Sequence, residues 1–168
     1  MKKIGIISDT HGFINQQIIN VFKDCDEIWH AGDIGFNDEI ENFIKRNHVK
    51  AVYGNIDGQK IRSIYPKTIK FKCENVKILM THIGGYPGKY SHEIESEIQL
   101  FNPDLYICGH SHILKIMFDK KNQLIHINPG SAGKEGFHKK RTVVLLRVQN
   151  SKIFDVRVVE LGPKTKLA

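Results

Sequence analysis

The chain has 168 residues, of which 40% are hydrophobic and 26% are charged. These proportions exclude a disordered tail and a membrane protein, and no apolar run approaches the roughly 20 residues that cross a bilayer. The formal net charge of +7 favours an anionic partner, because a positive field raises the local concentration of phosphates and nucleic acids.

The first third of the chain alternates strands with amphipathic helices. Residues 3–7 form an apolar run, and residues 14–23 then carry apolar side chains at helical spacing. A second strand at 27–29 precedes a helix at 38–46, and a third strand is predicted at 49–53. This alternation predicts βαβ units with a parallel sheet.

The rest of the chain is richer in strands. Two strands joined by a turn are predicted at 68–73 and 76–80, followed by a helix at 91–101 and a buried strand at 105–108. Two hairpins follow, with strands expected at 113–118, 124–127, 142–148 and 153–159. The pattern predicts a mixed α/β fold in a single domain that spans residues 1–168, because no linker, repeat or low-complexity tract interrupts it.

The N-terminus and the cysteines indicate a cytoplasmic protein. The apolar stretch after Lys2 and Lys3 has only about four residues, which is too short for the apolar region of a signal peptide. Cys25, Cys73 and Cys108 form an odd set without CxxC spacing, so buried free thiols in a reducing compartment are expected.

Polar side chains follow five of the predicted strands at their C-terminal ends. They are Asp9 and His11, Asp33, Asn55, His82, and His110 with His112. Because ligand crevices of open α/β sheets lie outside the carboxyl ends of the strands, these side chains are expected to converge. Carboxylate, imidazole and amide ligands suit manganese, iron, zinc or nickel better than calcium or magnesium. The set therefore predicts a transition-metal site.

Two of these clusters place ligands two residues apart. In an extended segment residues i and i+2 point to one side, so Asp9 with His11, and His110 with His112, are expected to face the same site while the residue between them points away. Each motif alone has an ordinary explanation as a turn or as a hydrogen-bonded structural histidine. Seven candidates at five strand ends favour the metal site.

Five motifs in this order resemble the calcineurin-like metallophosphoesterase superfamily. They are Asp9-Thr10-His11, Gly32-Asp33, Gly54-Asn55, Thr81-His82 and Gly109-His110-Ser111-His112. The short chain and Asn128-Pro129-Gly130-Ser131 look like its small, cap-free bacterial and archaeal phosphodiesterase branch, and the resemblance covers about residues 3–160. It implies an αββα sandwich, in which two packed, mostly β sheets are flanked by helices.

The resemblance also implies two divalent transition-metal ions, with manganese as the first choice and nickel, iron or zinc as alternatives. One ion would be held by Asp9, His11, Asp33 and His112, and the other by Asp33, Asn55, His82 and His110. Asp33 would bridge the two ions, and Asp33, Asn55 and His82 are the expected catalytic residues. A bridging hydroxide would attack a phosphate ester, with a phosphodiester favoured.

One departure from the superfamily concerns the leaving group. Many members have a histidine after the metal-binding asparagine, whereas Ile56 and Asp57 follow Asn55 here. Isoleucine cannot protonate a leaving group, so slow turnover of esters with poor leaving groups is expected. Asp57 is expected to be a loop carboxylate in an Asp-Gly turn and not the missing acid.

Several other polar residues have weaker interpretations. Lys89, in the glycine-rich loop after His82, is either a substrate-phosphate contact or a solvated lysine. His30 is either a support behind the site or a satisfied core histidine. Ser131 is expected to pack behind the site in a turn. No metal spacing is shown by His48, His92, His126 and His138.

Two functions of other classes compete with catalysis. A non-catalytic protein-interaction scaffold on the same fold would resemble the small retromer subunit, but that subunit has lost metal-binding histidines that this chain keeps. A nucleic-acid-binding module would fit the pI near 9.3, yet no helix-turn-helix, RNP-type or zinc-finger pattern is present. The expected partner is a phosphate-ester substrate, which could be derived from a nucleotide or a nucleic acid. No membrane partner is expected. The sequence leaves open whether the protein forms a homo-oligomer.

Overall fold

Two five-stranded sheets form the centre of the computed structural model, which describes residues 1–165. The strands are β1 (Lys2–Ile7), β2 (Glu27–His30), β3 (Val49–Ala51), β4 (Thr68–Cys73), β5 (Val76–Thr81), β6 (Leu105–Ile107), β7 (Lys115–Asp119), β8 (Leu124–Asn128), β9 (Lys140–Gln149) and β10 (Lys152–Pro163). The helices are α1 (Gln16–Phe22), α2 (Asp38–Arg46), α3 (Gln59–Arg62) and α4 (His92–Phe101).

The first sheet has the strand order β10-β9-β1-β2-β3. Strands β1, β2 and β3 are parallel, with Ile6 opposite Trp29 and Trp29 opposite Lys50. The βαβ units predicted for the first third of the chain are therefore confirmed. The last hairpin completes this sheet, because β9 pairs antiparallel with β1 and places Leu146 opposite Ile4.

The second sheet has the strand order β4-β5-β6-β8-β7. Its three inner strands are parallel to one another, and the edge strands β4 and β7 pair antiparallel with β5 and β8. The two hairpins predicted after residue 112 thus belong to different sheets. This arrangement brings the carboxyl ends of β5 and β6 beside those of the first sheet.

The core lies mainly between the two sheets. Fully buried side chains from both sheets meet there, including Ile6, Trp29, Ile78 and Leu105. A second cluster packs α1 and α2 against the outer face of the first sheet, and a third packs α4 against the second sheet. The predicted fold of two packed sheets flanked by helices is confirmed.

Side-chain caps fix the starts of the longer helices. Asn37 accepts a hydrogen bond from Ile40 N at the beginning of α2, and Ser91 does the same for Ile94 N in α4. Acidic residues in the first turn of α2 and basic residues in its last turn complement the helix dipole. Its predicted bounds are confirmed.

Several boundaries differ from the prediction. Helix α3 is a single turn of four residues, too short to show helical periodicity in the sequence. Strand β3 ends at Ala51 and not at residue 53, because Tyr53 N turns to donate to Pro66 O. No helix among residues 1–165 has the length and apolar composition needed to cross a membrane.

Candidate metal centre

Backbone hydrogen bonds join the loop after β1 to the loop after β2, and the loop after β5 to the loop after β6. Asp9 N donates to Gly32 O at 3.0 Å and His11 N donates to Asp33 O at 3.0 Å. Gly109 N donates to His82 O at 2.9 Å. Side chains link the two sheets, because His110 N donates to Asp9 Oδ2 at 3.2 Å and His82 Nδ1 donates to Ala31 O at 2.7 Å. Residues far apart in the sequence therefore share one site.

The first ligand-like cluster consists of Asp9, His11 and His112. One potential ligand atom from each residue lies within 4.8 Å of those of the other two. His112 Nε2 is 3.1 Å from Asp9 Oδ1, and the Asp9 side chain is fully buried. An aspartate and two imidazoles thus meet around one small volume.

The second cluster consists of Asp33, His82 and His110, with Asn55 beside it. The ligand atoms of the first three lie within 4.8 Å of one another. Asn55 Oδ1 is 3.0 Å from His82 Nε2 and 3.0 Å from His110 Nδ1. His82 and Asp33 are buried, whereas His110 and Asn55 are exposed, so this cluster is open to solvent on one side.

Asp33 lies between the two clusters. Its Oδ2 is 3.5 Å from His11 Nε2 in the first cluster, and its Oδ1 is 3.3 Å from His82 Nε2 in the second. Asp9 Oδ1 in turn approaches His82 Nε2 at 3.9 Å. The structure therefore brings all seven predicted site residues together in two adjoining groups.

The predicted i, i+2 geometry assumed an extended backbone, whereas the backbone at this site is not extended. Five candidate ligands have left-handed backbone conformations, with φ between 47° and 67°: Asp9, His11, Asp33, His110 and His112. Aspartate and histidine tolerate this region better than most residues do, and such conformations occur often at functional sites. Both pairs nevertheless face the site. Asp9 and His11 enter the first cluster, whereas His112 enters the first and His110 the second, in line with the ligand sets that the resemblance implied.

Close packing makes one glycine indispensable. A Cβ atom at Gly54 would lie 2.0 Å from Asp33 Oδ1 and 2.3 Å from Asp33 N. The backbone after β3 must therefore pass directly over the Asp33 carboxylate, which places Asn55 beside His82. Glycine is the residue that permits such a contact.

Two buried polar atoms in the site have no partner within residues 1–165, as is typical of metal ligands. Asp9 Oδ1 and His11 Nε2 are buried and have no hydrogen-bond partner among the described residues. Buried polar atoms rarely remain unpaired in folded proteins, because each costs about 1–3 kcal/mol. A metal ion bound by the first cluster would pair both atoms, so this group of residues fits a metal.

His82 shows the same need for a cation. His82 Nδ1–H donates to Ala31 O at 2.7 Å, so in the neutral ring Nε2 is an acceptor that faces the acceptors Asn55 Oδ1 and Asp33 Oδ1. Burial alone would lower the pKa of His82, but Asp33, Asp9 and the Ala31 carbonyl raise it overall. The arrangement calls for positive charge at Nε2, which a metal ion supplies as well as a proton does.

Asp33 is held in its charged form. Burial tends to raise the pKa of this carboxyl group, but the adjacent His82 ring, the hydrogen bond from the backbone of Ile56 and the nearby His11 lower it overall. Ile56 N donates to Asp33 Oδ1 at 3.0 Å. Contacts within the protein therefore orient the Asp33 carboxylate so that it faces both clusters.

His138 orients His112, and the sequence did not reveal it. His138 Nε2–H donates to Gly133 O at 2.9 Å, and its Nδ1 lies 3.1 Å from His112 Nδ1. Burial lowers the pKa of His138, so the neutral ring accepts a hydrogen bond from His112 Nδ1–H. His112 Nε2 is then left with its lone pair towards Asp9. His138 comes from a distant, largely exposed loop, which explains the missing sequence signal.

His30 is a buried, fully hydrogen-bonded histidine that supports the site. Its Nδ1 accepts from Gly32 N at 3.2 Å, and its Nε2–H donates to Thr10 Oγ1 at 2.9 Å. Thr10 in turn donates to Ile34 O at 2.8 Å, so its side chain points away from the clusters as predicted. Burial lowers the pKa of His30 to about 4, which keeps this network neutral.

Asp57 joins the loop after β2 to the loop after β3. Its carboxylate accepts hydrogen bonds from Ile34 N at 3.1 Å, Gly35 N at 2.8 Å and Gly54 N at 2.8 Å. It is buried and is saturated by these donors, so it is neither a solvated turn residue nor an available acid. The prediction of an ordinary loop carboxylate understated its role.

The segment after β8 lies behind the site, as the sequence indicated. Ser131 is fully buried, and its Oγ donates to Asp9 O at 3.0 Å. Asn128 Nδ2 donates to Gly109 O at 2.9 Å. The predicted packing of Ser131 behind the site is confirmed, and both side chains stabilise ligand-bearing loops without entering the clusters.

Two clefts flank the second cluster. One has a volume of about 310 Å³ and is lined by Asn55 and His82 together with Arg62 and Lys67. The other has a volume of about 440 Å³ and contains His110. Lys89 is exposed and lines neither of them, so the structure favours its interpretation as a solvated lysine.

The thiols predicted to be free are unpaired in the structure. Cys73 and Cys108 are buried, and Cys25 is partly buried. Burial raises the pKa of Cys108 to about 12, which leaves this thiol protonated and unreactive at neutral pH.

Comparisons with known proteins agree with this architecture. A family model described as a calcineurin-like phosphoesterase superfamily domain matches residues 1–151. A probable metallophosphoesterase from Methanothermobacter thermautotrophicus is 26% identical over 164 residues, which is 95% of this chain and 92% of that protein.

Solved structures share the fold at lower sequence identity. An archaeal phosphodiesterase is 23% identical and superposes with a TM-score of 0.74, covering 95% of this chain and 99% of its own. Wild-type Vps29 from Entamoeba histolytica, complexed with Zn²⁺, is 18% identical with a TM-score of 0.72, covering 97% and 99%. These likenesses show that the arrangement of the two sheets is a recurrent one.

Proposed function

Since the chain belongs to the calcineurin-like phosphoesterase superfamily, a family of metal-dependent phosphoesterases, we propose that it hydrolyses phosphodiesters at a dinuclear metal centre. The family predicted from the motifs is thereby confirmed, and the proposal concerns the number of ions, their ligands and the substrate. We further propose that residues 1–168 form one catalytic domain.

The position of Asp33 carries the proposal. One ion would be held by Asp9, His11, Asp33 and His112, and the other by Asp33, Asn55, His82 and His110. Asp33 contacts a histidine of each group through a different oxygen, an arrangement that a bridging carboxylate can adopt. The mixed oxygen and nitrogen donors support manganese as the first choice, with nickel, iron or zinc as alternatives.

Two divalent ions would supply Lewis-acid stabilisation of the phosphoryl oxygens and would make hydroxide available near neutral pH. Asp9 and Asp33 neutralise only half of the charge of two such ions, so the centre stays positive and attracts a phosphodiester monoanion. The exposed side of the second cluster, at Asn55 and His110, is where a substrate can approach. His82, anchored on Ala31 O, and Asp33, anchored on Ile56 N, keep this geometry fixed.

Neither residue that follows Asn55 can protonate the leaving group. Ile56 follows Asn55, is 46% exposed and has no proton to give. Asp57 already accepts three backbone hydrogen bonds and is not available. We therefore propose that activated aryl esters, whose leaving groups need no proton, react faster than alkyl esters.

A second candidate is a protein-interaction scaffold. The likeness to Vps29 supports it at the level of the fold. The unpartnered buried atoms of Asp9 and His11 favour a metal-binding site instead, because a scaffold gains nothing from leaving them unpaired.

Hydrolysis of bis-p-nitrophenyl phosphate and of p-nitrophenyl phosphate tests the proposal. Metal-stripped protein would be refilled with manganese, nickel, zinc or magnesium, and compared with Asp33→Ala and with Ile64→Ser as an exposed control. We expect diester hydrolysis that requires a transition metal, persists in the control and disappears in Asp33→Ala. Failure of every metal to support hydrolysis of either ester would favour the scaffold function over catalysis.

A further inference from the structure

The larger cleft beside His110 has features that the proposed chemistry does not use. It lies between the glycine-rich loop at residues 84–90 and strands β7 and β8, and its volume is about 440 Å³. It is lined by His110 and also by Ile83, Tyr86, Ile113, Lys115 and His126. A substrate whose phosphate lies at the second cluster could therefore extend a substituent directly into this cleft.

His126 is an incompletely satisfied group in the wall of this cleft. Its side chain is 1% exposed, Nδ1 lies 3.1 Å from the Tyr90 hydroxyl, and Nε2 has no hydrogen-bond partner among residues 1–165. Asn128 also lines the cleft, but its amide is occupied by Gly109 O, Ser111 Oγ and Gly130 N. A buried nitrogen without a partner is costly unless a ligand or a water pairs it.

The His126 ring is uncharged at neutral pH, because burial lowers its pKa to about 4. A neutral imidazole offers a single donor or a single acceptor at Nε2. The wall therefore suits an uncharged group with a hydrogen-bonding edge better than it suits a second anion.

The rim of the cleft is apolar and aromatic. Ile83, Tyr86 and Ile113 expose 53%, 40% and 62% of their surface, which is unusual for three large side chains around one opening. Lys115 Nζ lies 4.3 Å from the centroid of the Tyr86 ring. These side chains offer flat apolar surface, whereas the smaller cleft carries the charged side chains of Arg62, Lys67 and Glu93.

We propose that this cleft binds a planar heterocyclic ring of the nucleobase class, carried by one ester substituent of the phosphodiester. The inference rests on the proposed function and narrows its substrate to nucleotide-derived diesters. The ring packs against Tyr86 and Ile113, and its polar edge pairs His126 Nε2. An alkyl substituent would cover this nitrogen without pairing it, so a ring with a hydrogen-bonding edge is the better occupant.

The first experiment tests the cleft without any chemistry. Thymidine, which has no phosphate, is titrated into metal-free protein, and backbone amide shifts are followed by two-dimensional NMR. We expect shifts at residues 83–86, 113–115 and 126–128, and their loss in Tyr86→Ala, which changes an exposed side chain and so preserves the fold. Shifts elsewhere, or none up to millimolar thymidine, would overturn the proposal.

The second experiment compares substituents on the same phosphate. Thymidine 5′-monophosphate, phenyl phosphate and methyl phosphate compete against bis-p-nitrophenyl phosphate in the manganese-loaded enzyme. We expect inhibition constants that fall in the order methyl, phenyl, thymidine, with roughly tenfold between the extremes from the buried ring. His126→Phe should remove the advantage of thymidine over phenyl and keep that of phenyl over methyl.

Ile113→Ser should weaken both ring-bearing compounds, whereas Ile64→Ser, a change of the same kind at an exposed site outside both clefts, should change neither. Equal inhibition by all three compounds, with hydrolysis intact, would refute the cleft assignment and leave the proposed function standing. Absence of hydrolysis with any metal would refute the proposed function. The thymidine titration alone would then show whether the cleft binds a nucleobase.

Discussion

His112 and His138 face each other through their Nδ1 atoms at a distance of 3.1 Å. Because Gly133 O fixes the proton of His138 on Nε2, the pair has one neutral arrangement in which His112 presents Nε2 to Asp9. A histidine that is remote in sequence thus selects the tautomer of a proposed metal ligand.

We predict that His138→Phe weakens metal binding by about 10- to 100-fold, because His112 loses the acceptor that fixes its ring. His138→Asn, which retains an acceptor near the position of Nδ1, should recover part of the loss. Calorimetric titration with manganese measures the affinity, and nitrogen-15 NMR of the metal-free histidines reports the His112 tautomer. An unchanged tautomer in His138→Phe would disprove the positioning role.

We predict that Asp57→Ala destabilises the metal-free protein by roughly 3–5 kcal/mol, since three backbone donors lose a charged acceptor. Urea unfolding measures this change. Asp24→Ala, at an exposed position, should stay within about 0.5 kcal/mol of the wild type. Equal stability of the two variants would show that the Asp57 contacts contribute little.

A third prediction concerns stability at acid pH. Burial tends to raise the pKa of Glu27, but Lys50, Trp29 Nε1 and Lys2 outweigh it and lower the pKa to about 2. The folded pKa lies below the unfolded value near 4.5, so the stabilisation is complete above pH 4.5 and is lost as the pH falls towards 2.

The shift in the pKa of Glu27 corresponds to about 3 kcal/mol. Urea unfolding of metal-free protein at several pH values, followed by Trp29 fluorescence, measures it. Glu27→Gln should be less stable at neutral pH and should show a flatter decline below pH 4.5. Parallel curves for the two proteins would assign the acid sensitivity to other carboxylates.

A fourth prediction concerns the missing acid. We expect Ile56→His to speed hydrolysis of alkyl diesters by about 10- to 100-fold, because poor leaving groups need a proton. The rate of hydrolysis of nitrophenyl esters should change little. The backbone of Ile56, which donates to Asp33, is unaffected by the change. Ile56→Asn is the control, since it is polar but is not an acid. A similar increase in the rates of both ester types would show that the new histidine does not act by protonating the leaving group.

The convergence of Asp9 and Asp33 was predictable, because the parallel neighbours β1 and β2 present their carboxyl ends at one edge of the sheet. The partition of His110 and His112 between the clusters followed only from the resemblance, since local spacing does not indicate the left-handed backbone at these residues. The sequence also did not predict that the two late hairpins belong to different sheets, because hydrophobic periodicity indicates a strand but not its pairing partner.

His138 and Asp57 show a different limit of sequence interpretation. Each acts through hydrogen bonds to residues more than twenty positions away, at Nδ1 of His112 and at the backbone of Ile34. No local spacing encodes such contacts. The candidate ligands were therefore predictable, whereas most of the residues that hold them in place were not.

Titration of manganese into metal-free protein, with electron paramagnetic resonance detection, shows whether the two clusters share Asp33 across a pair of ions. We expect two bound ions per chain with exchange coupling in the wild type, and loss of that coupling in Asp33→Ala together with loss of diester hydrolysis. A single uncoupled ion in the wild-type protein, at saturating manganese, would exclude a shared Asp33.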